Sequence, residues 1–303
     1  LFATSSYCII TPVFNEATVL ETTIRSVLEQ TIQPMLWVII DDGSTDNTAE
    51  IIQKYLPERA IIRYAYRKRP RNEHYFASNV HAIMMGYELL KQISFDYLAI
   101  LDADIKLPRN YYEYILGKFA SDERLGVASG IYHNLINGKP EAVLHDRRST
   151  PKAIQVFRRE LFEKIGGFLP LPYGGEDTVS CFMARMAGWK VWSFPEISAL
   201  HLKPTGTGMT KSCLAVRFNQ GICEYNLATH PLFFLLKAIR RAFLEKPLIF
   251  GSMARVAGYL WAATRRDKTL LPKNVVNFLR KEQLDRVFKG NRIDYWDTMP
   301  PTY

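Results

Sequence analysis

From residue 7 onward, short continuous apolar runs alternate with stretches in which apolar residues recur every three or four positions. YCIIT (7–11) and LWVII (36–40) have the length and β-branched content of buried strands. Between them Val19, Leu20, Ile24, Val27 and Leu28 fall on one helical face. STDNTAEIIQKYL (44–56) opens on capping residues and continues helically, AIIRY (60–64) predicts a strand, Tyr75–Lys91 a helix and YLAIL (97–101) a further strand. Strand–helix–strand units joined by short crossovers predict an α/β fold, a Rossmann-like and mostly parallel sheet flanked by helices on both faces.

In sheets of this kind ligands collect beyond the carboxyl ends of the strands, and three of those ends are polar. The first strand runs into TPVFNE (11–16), the second into DDGSTDNT (41–48), and YLAIL into DADIKLP (102–108). Strand alternation would put Asp102 and Asp104 on one side and Ala103 on the other, so either a cation sits between the two carboxylates or they lie in water. Taken singly, DDGS reads equally as an Asx turn at a helix start, and a DxD triplet arises by chance. Three acidic ends on one edge of one sheet are a more specific signal.

Further along, VFRRELFEKIGGF (156–168) and GGEDTVSCFMARMAGWKVW (174–192) complete an ordered set with the three motifs above. Over roughly residues 7–205 this set resembles the family 2 glycosyltransferases with a GT-A fold. The resemblance implies an inverting transferase that takes a sugar from a nucleotide-sugar donor, with Mn²⁺ or Mg²⁺ as cofactor. It implicates Thr11, Pro12, Phe14, Glu16, Asp42 and its neighbour Asp41 in holding the nucleotide. It makes Asp104 the foremost metal ligand, with Asp102 acting through the metal, its waters or the ribose. Oxygen ligands suit either hard dication, and such an ion would reconcile the carboxylates with a diphosphate. The same resemblance makes Asp177 the general base, with Glu176 beside it, and His201 a third metal ligand. Plain capping of the helix expected at Thr178–Ala187 is the alternative for the two acids. Lys203 and Lys211 flank a loop containing Gly206 and Gly208 that could close over the diphosphate, Lys203 being counted with the donor-binding residues.

Charge sharpens the division of the chain. Net charge is +9, but residues 1–200 hold 22 Lys and Arg against 23 Asp and Glu, whereas 201–303 hold 17 against 7. The basicity therefore belongs to the second part, so the expected domains are 1–205, catalytic, and 206–303, a basic amphipathic helical extension. Within it THPLFFLLKAIRRAFLEKPLIFGSMARVAGYLWAATRRDK (229–268) predicts two helices parted near Glu245–Pro247, with Lys237, Arg240 and Arg241 on one face opposite Phe233, Phe234 and Leu236. Arg255 sits in the middle of the second apolar run and would be costly in a bilayer centre, so residues 230–290 are expected to lie on an anionic membrane surface and not to cross it, with packing of 247–263 within the protein as the alternative.

These readings favour a hydroxyl of a glycan or polyprenyl-linked acceptor, since a polyprenyl phosphate, already anionic, would need little help from a base. Transfer onto the lipid phosphate and an inactive lipid-binding scaffold are the alternatives. A nucleic-acid partner is not expected, because the cations interleave with aliphatic residues and not with stacking aromatics. Four cysteines, Cys8, Cys181, Cys213 and Cys223, show no zinc-like spacing and read as small buried thiols of a reducing compartment. No signal-peptide pattern is visible at the start, which lacks a Met and reads as a trimmed terminus; the chain is expected to be cytoplasmic and peripheral on the inner face of the cell membrane. YRKRPRNEHY (66–75) reads as a guide for an anion or a solvated run, Trp189 and Trp192 as core, and the unpatterned stretch 133–152 as an acceptor-side loop.

Overall fold

The computed structural model describes residues 6–57, 60–203 and 212–289; Gly206, Gly208 and Lys211 of the expected lid lie outside them. Two compact units divide the chain, Leu1–Pro170 with Glu176–Thr205, and Leu171–Gly175 with Gly206–Tyr303.

The first unit is built on a nine-stranded sheet. Strands β1 (Tyr7–Val13), β2 (Leu36–Asp41), β3 (Ile62–Tyr66) and β4 (Tyr97–Leu101) pair in parallel in the order β3-β2-β1-β4. Helices α1 (Leu20–Leu28), α2 (Thr48–Tyr55) and α3 (Tyr75–Leu90) make the crossovers. Period-two alternation sorts the strand side chains between two cores. Tyr7, Ile9, Trp37 and Ile39 meet Leu20, Ile24 and Val27 of α1 on one face, while Cys8, Ile10, Val38 and Ile40 meet Val80, Ile83 and Leu90 of α3 on the other. A β-carbon on Gly86 of α3 would stand 2.7 Å from the Ile10 side chain, so glycine there sets how closely the helix approaches the sheet.

The fold class is the one expected, and the sheet then extends beyond its parallel half. After the two-residue β5 (Ile105–Lys106) and helix α4 (Tyr111–Ser121) come β6 (Leu125–Ile136), β7 (Lys139–Ala142) and β8 (Ile154–Arg158). Helices α5 (Arg159–Lys164) and α6 (Glu176–Met186) precede the long β9 (Lys190–His201). β8 joins β4 antiparallel, β6 pairs with β8, β9 and β7, and β5 closes the edge antiparallel to β9. Part of the stretch read as an unpatterned loop is therefore a hairpin. Its turn is Asn137-Gly138, both at positive φ (52° and 75°), which suits the right-handed twist of the strands.

The second unit is helical in its described part, with α7 (Cys213–Asn226), α8 (Pro231–Leu244), α9 (Leu248–Arg265) and α10 (Lys273–Phe288). Among the described residues no helix is long and apolar enough to cross a membrane. None of the four cysteines forms a disulfide among the described residues, and only Cys8 and Cys181 are buried; Cys213 is exposed and Cys223 half-buried.

Candidate active site

Parallel pairing brings the ends of β1 and β2 together, with Val13 opposite Asp41 and the Asp42 amide donating to the Val13 carbonyl at 2.8 Å. The two adjacent aspartates then do different things. Asp41 accepts from the Ser44 amide (2.8 Å) and the Tyr64 hydroxyl (3.1 Å), which shapes the turn. Asp42 is held by Arg67 and the Ser78 hydroxyl, with Arg69 at 4.0 Å. Arg67 in turn forks onto Glu73 at 2.7 and 2.8 Å, and the Arg69 guanidinium lies 4.7 Å from the Phe14 ring and 5.5 Å from that of Tyr75. Two of the four cations in YRKRPRNEHY are thus not part of a solvated run; Arg67 and Arg69 are anchored on Asp42, Glu73 and Phe14 at the ends of β1 and β2. Thr11 and Pro12 are buried within β1, and the Thr11 hydroxyl accepts from the Trp37 indole at 2.9 Å, so their side chains are not brought together with the others.

Asp102 and Asp104 stand just beyond β4 in a turn, with Ala103 buried between them and its carbonyl accepting from Thr23. Each carboxylate has a cationic or imidazole partner of its own. Lys152 Nζ donates to Asp102 at 2.5 Å, and His201 Nε2 lies 3.1 Å from Asp104. Register explains the second contact across 97 residues of sequence: Ile105 of β5 pairs with His201 of β9, and the Leu202 amide donates to the Asp104 carbonyl at 2.8 Å. Burial disfavours a charged His201, but the hydrogen bond and charge of Asp104 outweigh it and raise its pKa. Nearby, Lys203 donates to Glu16 at 2.6 Å. Burial nevertheless pushes the Glu16 carboxyl up to about 7, with the charges of Asp104 and Asp102 adding to it and Lys203 opposing.

The third cluster stands at the start of α6, after Gly174 and Gly175, whose φ angles of 85° and 92° are left-handed and suit glycine. Asp177 accepts from the amide of Thr178 (2.6 Å) and from that of Lys152 (3.4 Å). Glu176 is 3% exposed, and its buried Oε2 has no hydrogen-bond partner. Burial raises both carboxyls, and the charge of Asp177 helps push Glu176 up to about 7 against the pull of Lys152. Lys152 is the residue sequence reasoning missed. One lysine in STPKAIQ carries no pattern, yet its side chain holds Asp102 while its amide meets the proposed base.

Glu176 gives a pH-dependent expectation. A carboxyl whose pKa is higher in the folded than in the unfolded protein binds its proton more tightly when folded. Its favourable contribution is complete below the ordinary glutamate value and lost as pH rises towards about 7. Glu176→Gln is therefore expected to match the wild type in melting temperature near pH 5 and to exceed it at pH 8, by the equivalent of about 2–3 kcal/mol, read from melts across that range.

Among the described residues no three His, Cys, Asp or Glu side chains gather closely enough to hold a metal unaided. What the protein offers is the Asp104–His201 pair. A hard dication is commonly held by one or two protein ligands with substrate phosphates completing its shell, and an oxygen with an imidazole fits that scheme.

The profile of the family described as Glycosyl transferase family 2 matches residues 8–187. The chain belongs to that family. This family 2 glycosyltransferase is 31% identical over 117 residues, 39% of its length, to poly-beta-1,6-N-acetyl-D-glucosamine synthase of Staphylococcus aureus (strain COL). A synthase of the same name from Staphylococcus epidermidis is 29% identical over a stretch of equal length. In both cases the match covers 26% of the relative, so about a quarter of those proteins is represented. Among solved structures, a mannosyltransferase from Pyrobaculum calidifontis in complex with GDP-Man and Mn²⁺ superposes with a TM-score of 0.56 at 19% identity, covering 97% of this chain and 83% of that one. Staphylococcus aureus TarS 1–349 gives 0.52 at 14%, covering 97% and 74%. At such identities the likeness is one of fold.

Proposed function

We propose that this transferase moves a sugar, with inversion, from a nucleotide-sugar donor to a hydroxyl of a glycan or polyprenyl-linked acceptor, working as a peripheral protein on the cytoplasmic face of the cell membrane. UDP-sugars come first among donors and GDP-mannose second. The observation that carries this reading is the convergence of Asp104–His201, Asp102–Lys152 and Glu176–Asp177 in one electrostatic neighbourhood, where Lys152 and Asp102 act on the titration of both His201 and Glu176.

The nucleotide would lie along the ends of β1 and β2, near Phe14, Asp41, Asp42 and the two arginines, and Glu16 and Lys203 would face the diphosphate. Asp104 and His201 would hold Mn²⁺ or Mg²⁺, supported by the Mn²⁺ in the Pyrobaculum complex. When bound, such an ion neutralises the diphosphate and the charge that develops as it departs. Lys152 keeps Asp102 compensated, leaving that carboxylate for the ribose or for water. Asp177 then takes the acceptor's hydroxyl proton as the acceptor oxygen bonds to the anomeric carbon and the bond from that carbon to the phosphate oxygen breaks. A phosphate acceptor, already anionic, would need little help from a base, so a carboxyl available to take a proton favours a hydroxyl over transfer onto a lipid phosphate.

A panel of nucleotide sugars read by thermal shift with and without Mn²⁺ tests the reading. A rise in melting temperature with one donor class, dependent on the metal, is expected; no shift with any donor would overturn it.

A further inference from the structure

Helices α8 and α9 are arranged with their apolar faces outward. In α8, Leu232, Leu235, Leu236, Ile239 and Phe243 recur at helical spacing and are all exposed, Phe243 by 72%. The side that packs inward carries Phe234 and Ala238, with Lys237 paired to Glu224 and Arg241 to Glu245 at 3.0 Å. Of the cationic face expected to meet an anionic membrane surface, Lys237 and Arg241 are thus paired within the unit, and Arg240 is exposed. α9 repeats the arrangement. Gly251, Ser252, Arg255, Gly258 and Ala262 face the other helices, and Ile249, Phe250 (70% exposed), Met253 (61%), Leu260 and Trp261 face out. Helices that pack through small and polar side chains and present large apolar ones to the surroundings suit a solvent of hydrocarbon, not water.

Arg255 is the residue that argued against immersion, and its placement removes the objection. It is 2% exposed, 2.8 Å from Glu245 and 2.6 Å from the Gln220 side chain, so its charge does not face outward. The exposed cations Lys246, Arg265, Arg266 and Lys268 stand at the ends of α9, where they complement anionic headgroups. Helices of 14 and 18 residues extend roughly 21 and 27 Å, short of a typical span.

We infer that α8 and α9 form a hairpin whose outward faces enter the hydrocarbon of one lipid leaflet without crossing it. This deepens the membrane-surface part of the proposed function and is independent of the transfer chemistry.

Vesicle flotation of the full chain separates the possibilities. Binding to neutral phosphatidylcholine vesicles is expected to persist in 0.5 M NaCl, where surface attraction is screened, and to fall on the order of 100-fold in Phe243→Ser/Phe250→Ser. Both residues are exposed, so the double variant should keep the wild-type donor-dependent thermal shift. Quenching of tryptophan fluorescence by acyl-chain-brominated lipid, lost in Trp261→Phe, would place α9 below the headgroups. Binding only to anionic vesicles at low salt would overturn immersion while leaving a surface-bound enzyme. Absence of binding to any vesicle, or a dimer by sedimentation that vesicles do not dissociate, would overturn immersion and surface attachment together and leave the donor reading untouched.

Discussion

Asp177→Asn is expected to lower sugar transfer by about 10²–10⁴-fold while preserving the Mn²⁺-dependent thermal shift produced by the donor. The expectation follows from what the side chain touches. One carboxylate oxygen accepts from the Thr178 amide, the other only at 3.4 Å from the Lys152 amide, so the second has capacity left for an incoming hydroxyl. Asparagine preserves size and can keep its oxygen on the helix amide, but it takes up no proton. A merely capping role would give a different pattern. Replacing a cap with asparagine changes stability by little, because asparagine caps about as well, and turnover would persist. Initial-rate measurements on the variant with saturating donor and acceptor separate the two roles, and wild-type turnover would remove Asp177 from the chemistry.

The second large effect is on the helical unit. α7 and α9 cross with a glycine on each at the contact. A β-carbon on Gly221 would stand 1.9 Å from the Arg255 carbonyl oxygen, and one on Gly258 would stand 2.0 Å from that of Phe218. Both obstacles are backbone atoms, which no rotamer change can clear. Gly221→Ala is therefore expected to force the helices apart and cost about 3 kcal/mol or more, seen as a lower melting temperature and faster proteolysis in the second unit. Gly117→Ala, in the middle of α4 where an added β-carbon meets nothing within 4 Å, is the matched control and is expected to stabilise by up to about 1 kcal/mol. Equal melting of Gly221→Ala and wild type would contradict this packing.

The parallel half of the sheet was legible because burial on both faces leaves continuous apolar runs, and the short turns after them expose the acids. The hairpin at Asn137-Gly138 was also marked in the sequence, but the partly exposed strand β6 around it dilutes the apolar signal. Motif reasoning located Asp102, Asp104, Glu176 and Asp177 as neighbours of strand and helix ends. It had no means of finding Lys152, which reaches them through a β8–β4 pairing that only the folded sheet creates. Arg67 and Arg69 looked like part of a solvated cationic run because spacing does not show which charges meet a partner. In α8 the expected faces set Phe234 opposite Lys237 and Arg241, whereas all three stand on the inward side, and spacing alone does not say which face meets the protein. Charges usually point outward, and here Glu224 and Glu245 draw Lys237, Arg241 and Arg255 inward.

Anomalous diffraction from crystals holding Mn²⁺ and a nucleoside diphosphate tests most directly where the donor binds. A manganese peak between Asp104, His201 and the diphosphate is the expected result. A nucleotide bound with no metal there, or a metal peak away from both side chains, would contradict the account.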